Sequence, residues 1–265
     1  MLIDFHTHCF PEKIAPRAIE KLAHASGGFV PHTDGTARSL LSRMKESSVD
    51  ASVVLSIATN EHQQRAVNDF AVSINNEKNI FAFGSVFPLA DSAFEELERI
   101  AESGLKGVKL HPDYQGFCVS DERLFPLYRK ISSLGLITVF HAGLDYGFAP
   151  PYGGMPRDMV RALTQFSTPV VAAHWGGINC GEDVLSYLCG RDIYFDCSFG
   201  YSMMPRYYAE KILEKHGADR ILFGTDSPWH TAEMELRLLE NLGLSAEDMD
   251  KITHKNALKL LKIEG

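Results

Sequence analysis

Short apolar runs, rich in β-branched and aromatic residues, punctuate the chain, and most end in a polar or glycine-containing tip. Eight such runs predict strands: Leu2 to His6, Ala51 to Ile57, Ile80 to Phe87, Gly107 to His111, Ile137 to His141, Val170 to His174, Ile193 to Ser198 and Arg220 to Gly224. Runs this short and this continuously apolar suit strands covered on both faces, as in a parallel sheet. Between them the period lengthens. After Asp91, the residues Phe94, Leu97, Ile100 and Ala101 fall on one helical face, with Glu95, Glu96, Glu98 and Arg99 on the others. Leu124, Leu127, Tyr128, Ile131 and Leu134 repeat that spacing. Ser245, with Asp248 three residues on, reads as a capping box opening the final helix.

Alternation of this kind through 265 residues, without linker, low-complexity tract or repeat, predicts an α/β fold. The expected architecture is a single-domain (β/α)8 TIM barrel over residues 1–265, with an open doubly wound sheet as the competing topology. The first strand is expected from Leu2, so no module is expected before it.

Composition narrows the function classes. Hydrophobic residues make up 45% and charged residues 23%, and the net charge of -8 is spread along the chain. No basic tract offers phosphates a landing site, so neither nucleic acid nor an anionic membrane is an expected partner. No apolar run approaches the ~20 residues of a bilayer span, and the N-terminus lacks a basic region followed by an apolar one. The five cysteines are odd in number with no CxxC spacing, which argues against a disulfide framework or a zinc knuckle. Reduced thiols and a cytoplasmic location are expected, with a small-molecule substrate as partner and self-association left open.

Candidate chemistry gathers at the strand tips. Asp4-Phe5-His6-Thr7-His8 places two imidazoles at i and i+2, the same side of an extended chain. With 11 histidines in the chain, chance alone supplies about half such a pair, so the motif is weak by itself. Further tips strengthen it: His111 closes Val108 to His111, His141 closes Val139 to His141, His174 closes Ala172 to His174, and Asp226 follows Leu222 to Thr225. The C-terminal face of the strands is where barrel active sites assemble. Imidazoles with a carboxylate suit a borderline cation, Zn²⁺ first, with Mn²⁺ or Fe²⁺ as alternatives. Cys9, beside His8, is expected to point away and pack.

These segments together resemble the amidohydrolase superfamily, and within it the amidohydrolase-related branch that includes aminocarboxymuconate-semialdehyde decarboxylase. The resemblance rests on DFHTH at 4–8, GVKLHP at 107–112, FHAG at 140–143, AHWGG at 173–177, FGTDSPW at 223–229 and the Asn256-Ala257 leucine-rich end. It spans nearly the whole chain. It implies one divalent metal on His6, His8, His141 and Asp226, with His174 beside it as an acid/base group. In more distant branches a fourth-strand lysine bridges a second metal, a role that Lys109 with His174 would fill here. TatD-like nucleases fit less well, because their glutamate-threonine-aspartate ending is Gly224-Thr225-Asp226 here. Two-domain hydantoinase and deaminase relatives need flanking segments that this chain lacks.

The implied activity is hydrolysis of a small ester, lactone or amide by a metal-activated water, with Asp226 shuttling the proton and His174 steadying the oxyanion. Nonoxidative decarboxylation of an aromatic or unsaturated acid is the alternative, and a non-catalytic metal-binding barrel the third reading. Lys109, His111, Trp175 and Trp229 are the expected substrate contacts. Tyr114 and His230 are further candidates at the mouth, whereas Tyr152 and Arg157 read as surface or packing. The Phe148 to Pro156 segment reads as a mobile loop near the site. His24, His32, His62, His216 and His254 are expected at the surface.

Overall fold

The computed structural model describes residues 1–76 and 78–264. Eight parallel strands run in chain order: β1 Ile3–Thr7, β2 Ala51–Leu55, β3 Ile80–Phe83, β4 Gly107–Leu110, β5 Ile137–Phe140, β6 Val170–Ala172, β7 Tyr194–Asp196 and β8 Ile221–Leu222. They form two ladders, β1-β2-β3 and β4-β5-β6-β7-β8. Two seams join the ladders into a ring. At one, Gly84 N donates to Gly107 O and Lys109 N to Gly84 O, at 2.9 and 2.8 Å. At the other, Phe5 N donates to Phe223 O and Asp226 N to His6 O, both at 2.8 Å. The sheet is therefore closed, and helices follow the strands around it, as in a (β/α)8 barrel.

Strand alternation divides the apolar residues into two cores. Ile3, Phe5, Val53, Leu55, Phe81, Phe83, Ile137, Val139, Val171 and Leu222 fill the barrel, and Leu260 and Leu261 of the last helix close its lower end. Val108, Leu110, Phe140, Ala172 and Ile221 instead face outward into a layer shared with Leu97, Ile100, Leu127 and Ile131 of the surrounding helices. Being covered on both sides is why these runs lack polar breaks.

The strands are shorter than their apolar runs suggest. The third ends at Phe83 rather than Phe87 because side chains replace the ladder. Asn68 Oδ1 accepts from Ser85 N at 2.8 Å, Ser85 Oγ donates to Lys109 O at 2.9 Å, and Gln115 Nε2 donates to Ala58 O and Val86 O at 2.7 and 2.8 Å. These buried amides satisfy the backbone where the strands splay into the mouth.

Two helix-level expectations need correction. In the helix Ala93–Glu102 the buried face is Ala93, Glu96, Leu97 and Ile100, while Phe94 is 43% exposed. Phe94 lies about 100° around the axis from Ala93, which faces the barrel, and Glu96 is kept inside by Arg99 and Asn68. His216 is buried rather than at the surface: its ring stacks on Phe195, Nδ1 accepts from Gly190 N and Nε2 donates to Ile193 O. Ser245 does cap a helix, Ala246–Asp250, which runs on through Lys251–Lys255 into Asn256–Leu261. Cys9 packs against Leu40, Met44, Val54 and Ile80, as expected. No helix among the described residues is long and apolar enough to cross a membrane.

Candidate metal centre

The pairing of β1 with β2 shifts register between Asp4 and Thr7. Such an irregularity re-aims side chains, and here Phe5 packs in the barrel core while His6, its neighbour, also turns inward. His6 Nε2 and His8 Nε2 come within 3.2 Å. The turn after β8 delivers Asp226, whose φ of 63° lies in a region that non-glycine residues seldom adopt, and His174 after β6 has φ 59°. Strain of this kind gathers at functional sites.

The protons decide what this cluster can do. His8 Nδ1 donates to Leu55 O at 2.7 Å, which leaves Nε2 a bare lone pair when the ring is neutral. His6 Nδ1 donates to Asp196 Oδ2 at 2.9 Å, with the same result. Both lone pairs face Asp226 Oδ1, at 2.9 Å from His8 and 3.3 Å from His6. That oxygen is buried and has no hydrogen-bond donor among the described residues. Three electron-rich atoms thus converge, with one cationic donor, Lys109 Nζ, 3.4 Å from His6 Nε2. A cation satisfies such a set; their own hydrogens do not.

His174 extends the cluster. Ser198 spends its hydrogen on Asp196 and accepts from His174 Nδ1 at 2.8 Å, so His174 Nε2 is also a lone pair. His6, His174 and Asp226 each offer an atom within 4.8 Å of the others. His141 donates from Nε2 to Leu144 O at 3.2 Å and turns Nδ1 to within 3.1 Å of His174 Nε2. The structure therefore brings His6, His8, His141, His174 and Asp226 together, with His174 as near to Asp226 and His6 as a ligand would be.

Electrostatics keep these groups in the needed forms. Burial holds His6, His141 and His174 below the usual imidazole range, so their rings stay neutral. Burial pushes Asp226 up, but His6 and His8 more than offset it and keep its carboxyl well below the usual range. Asp196 behaves likewise: burial raises it, and His6 with Ser198 and His174 holds it down. Lys109 is 1% exposed, with Nζ 3.4 Å from His6 Nε2. Burial lowers its pKa to about 8, with Asp196 and Asp226 pulling the other way.

A second group shares the mouth. His111 lies flat on His141, with centroids 4.1 Å apart, and its Nε2 is 3.2 Å from Asp145 Oδ2. His111 Nδ1 accepts from Tyr114 N, so Nε2 carries the proton and donates it to Asp145. This pair is complete without an ion.

The remaining expected contacts divide. Tyr114 sets its ring edge on His111, and Trp229 is half-buried beside Asp226, whose backbone carbonyl accepts the Trp229 backbone N–H. Trp175 has no exposed surface and packs in the outer core, so it does not line the mouth. The positive φ at both His174 and Trp175 turns the chain so that the two side chains diverge. Arg157 is exposed over the Tyr187 ring, and Tyr152 is half-buried. The Phe148 to Pro156 segment is anchored at Gly153 and Gly154, which bond Asp113, Val119 and Gly143. Sequence reasoning missed Asp196, Ser198 and Asp145. The available signal for Asp196 was a lone carboxylate inside an apolar strand run.

The sequence profile of the amidohydrolase family matches residues 3–263. The chain belongs to the amidohydrolase family. It is an enzyme of that family, and its fold recurs in solved structures. An uncharacterised TIM-barrel protein from Bordetella bronchiseptica superposes with a TM-score of 0.78 at 20% identity, covering 98% of each chain. A dihydroxybenzoic acid decarboxylase from Polaromonas, solved with manganese and 2-nitroresorcinol, gives 0.71 at 17% identity over 98% of this chain and 96% of its own. A Pseudomonas putida protein put forward as a 2-pyrone-4,6-dicarboxylic acid hydrolase gives 0.69 at 18%, covering 100% and 98%. At these identities the likeness concerns the barrel, which this member shares from end to end.

Proposed function

We propose that this amidohydrolase-family member is a metal-dependent hydrolase of a small ester, lactone or amide. The observation that carries the reading is the convergence of His6 Nε2, His8 Nε2 and Asp226 Oδ1, with the Nδ1 proton of each ring fixed elsewhere. His6, His8, Asp226 and the His141–His174 pair would hold one divalent ion, Zn²⁺ by the nitrogen and oxygen donor set, with Mn²⁺ or Fe²⁺ compatible. Such an ion supplies Lewis acidity and a nucleophilic water at neutral pH.

The chain's own groups do the rest. His174, neutral at Nε2, accepts a proton first and can then donate it toward an oxyanion or leaving group. Asp226, kept ionised, is the alternative proton carrier. Lys109 is a buried cation suited to an anionic substrate group, and His111, tied to Asp145, offers a fixed polar edge at the entrance. Asp196 holds His6, and through Ser198 also His174, in the tautomers just described.

Nonoxidative decarboxylation is the second reading, favoured by the Polaromonas enzyme's activity and by Lys109 as a seat for a carboxylate. In that reaction a protonated His174 would deliver hydrogen to the carbon losing carbon dioxide. The deciding experiment is a screen of lactones, esters and carboxylated aromatics, scored in parallel for acid and carbon dioxide. Metal analysis of protein purified without added metal tests the shared premise: a chain free of bound ion that turns over all the same overturns both readings.

A further inference from the structure

Beyond the metal-centre reading, a second constellation lies on the far side of Phe199. The Phe199 ring sits 5.8 Å from that of His174 and 4.4 Å from that of His230, so it separates the two. His230 Nδ1 is 2.5 Å from Glu235 Oε1, and its Nε2 is 2.9 Å from Ser202 Oγ. Glu235 has no exposed surface, and its other oxygen accepts from Tyr201 N at 3.1 Å. Its carboxylate therefore fixes the proton on His230 Nδ1 and leaves Nε2 as an acceptor for the Ser202 hydroxyl. Ser202 itself is exposed. It opens on a cleft of about 650 Å³ that Asn179, Tyr201, Met203 and Arg206 also line. None of the metal-centre residues borders that cleft.

We propose that Ser202, His230 and Glu235 form a nucleophile–base–acid site that is acylated by small esters with good leaving groups, independently of any metal. The polarity is what the reaction needs: an accessible hydroxyl, a base held in the right tautomer, and a buried carboxylate behind it. As Ser202 Oγ bonds to the ester carbonyl carbon, its proton passes to His230 Nε2. Glu235 steadies the imidazolium, which returns that proton to the departing oxygen as the carbon–oxygen bond breaks. The product is an acyl ester on Ser202. A water then repeats the sequence, its proton going through His230 back to Ser202 as the acid leaves. Asn179, on the same cleft, gives one amide hydrogen to the Tyr146 hydroxyl and keeps a second that could serve the carbonyl oxygen.

The test uses the protein as purified, with and without a chelator. It is treated with a fluorophosphonate probe, and the adduct is located by peptide mass; p-nitrophenyl acetate gives the acylation rate. One adduct at Ser202, unchanged by the chelator, is expected. Ser202→Ala should abolish it, and because that residue is exposed the variant should fold. Glu235→Gln, whose amide forces the His230 proton onto Nε2, should slow acylation about 100-fold, the scale of a lost general base, with His230→Gln as the companion variant. The absence of a Ser202 adduct, or one undiminished in both His230→Gln and Glu235→Gln, overturns the proposal. Esterolysis that vanishes with the chelator would assign the activity to the metal centre, also overturning it. Metal-independent labelling that survives a failure of the metal-centre reading keeps the two questions separate.

Discussion

Two histidine–carboxylate groups face the same barrel mouth a few ångströms apart, yet their electronic demands are opposite. In the His111–Asp145 pair, a backbone N–H fixes the tautomer so that a proton lies between ring and carboxylate. At His6, His8 and Asp226 the protons are drawn outward, to Asp196 and to Leu55 O, and the bare atoms are left facing each other. Residue type and distance are nearly the same in both. On the metal-centre reading, what distinguishes the cation site from the hydrogen bond is the partner on the far nitrogen of each ring.

The sharpest way to break this contrast is to remove a converging atom. His8→Ala or Asp226→Asn should take the bound metal from near stoichiometric to background and cut turnover by about 1000-fold or more, the scale of a lost metal-activated nucleophile. Asp145→Asn should leave the metal content unchanged. Elemental analysis of the three variants checks this, and equal losses in all of them would erase the distinction.

Asp196→Asn is expected to act less strongly, because it touches the ring behind the donor atom rather than the donor. A fall in metal affinity of about 10- to 100-fold is the usual cost of such a partner, measurable by competition with a chromophoric chelator. Asp145→Asn, in the complementary group, should raise KM only a few-fold, matching the roughly 1 kcal/mol of one hydrogen bond. Steady-state kinetics on whichever substrate the screen yields would show it.

The smallest effect concerns a third kind of histidine. His216 has both nitrogens satisfied by backbone, one accepting and one donating, which admits only the neutral ring. Burial depresses its pKa from 6.5 to about 4. Between those values the unfolded chain binds more protons than the folded one, so stability rises with pH across that window and is lost on acidification through it. Denaturant titrations from pH 7 to 4 should show a shallower slope for His216→Gln than for the parent; identical slopes would contradict this assignment.

The strand tips made much of this legible in advance. His6, His111, His141, His174 and Asp226 each end an apolar run, and a parallel barrel carries such ends to one face. What stayed hidden was anything that crosses between elements. Asp196 meets His6 across 190 positions of sequence, and no local pattern announces that contact. Ser198 and Asp145 act through single hydrogen bonds, which leave no periodicity. Trp175 illustrates the converse: adjacency to His174 in sequence suggested the wall of the mouth, but two successive positive φ angles send its indole into the core. Strand lengths were overestimated where Asn68, Ser85 and Gln115 take over from the ladder, since a buried amide and a strand neighbour satisfy the same backbone groups.

The ring of strands closes where β8 meets β1, and β8 itself is only two residues long. His6 and His8 stand on one side of that junction and Asp226 on the other. On the metal-centre reading, an ion held by all three would clasp β1 to the turn after β8, and part of its binding free energy would go into holding the cylinder shut. Catalytic competence and barrel closure would then be linked equilibria. Stripping the ion should loosen the molecule first along this junction, where amide hydrogen exchange would register it.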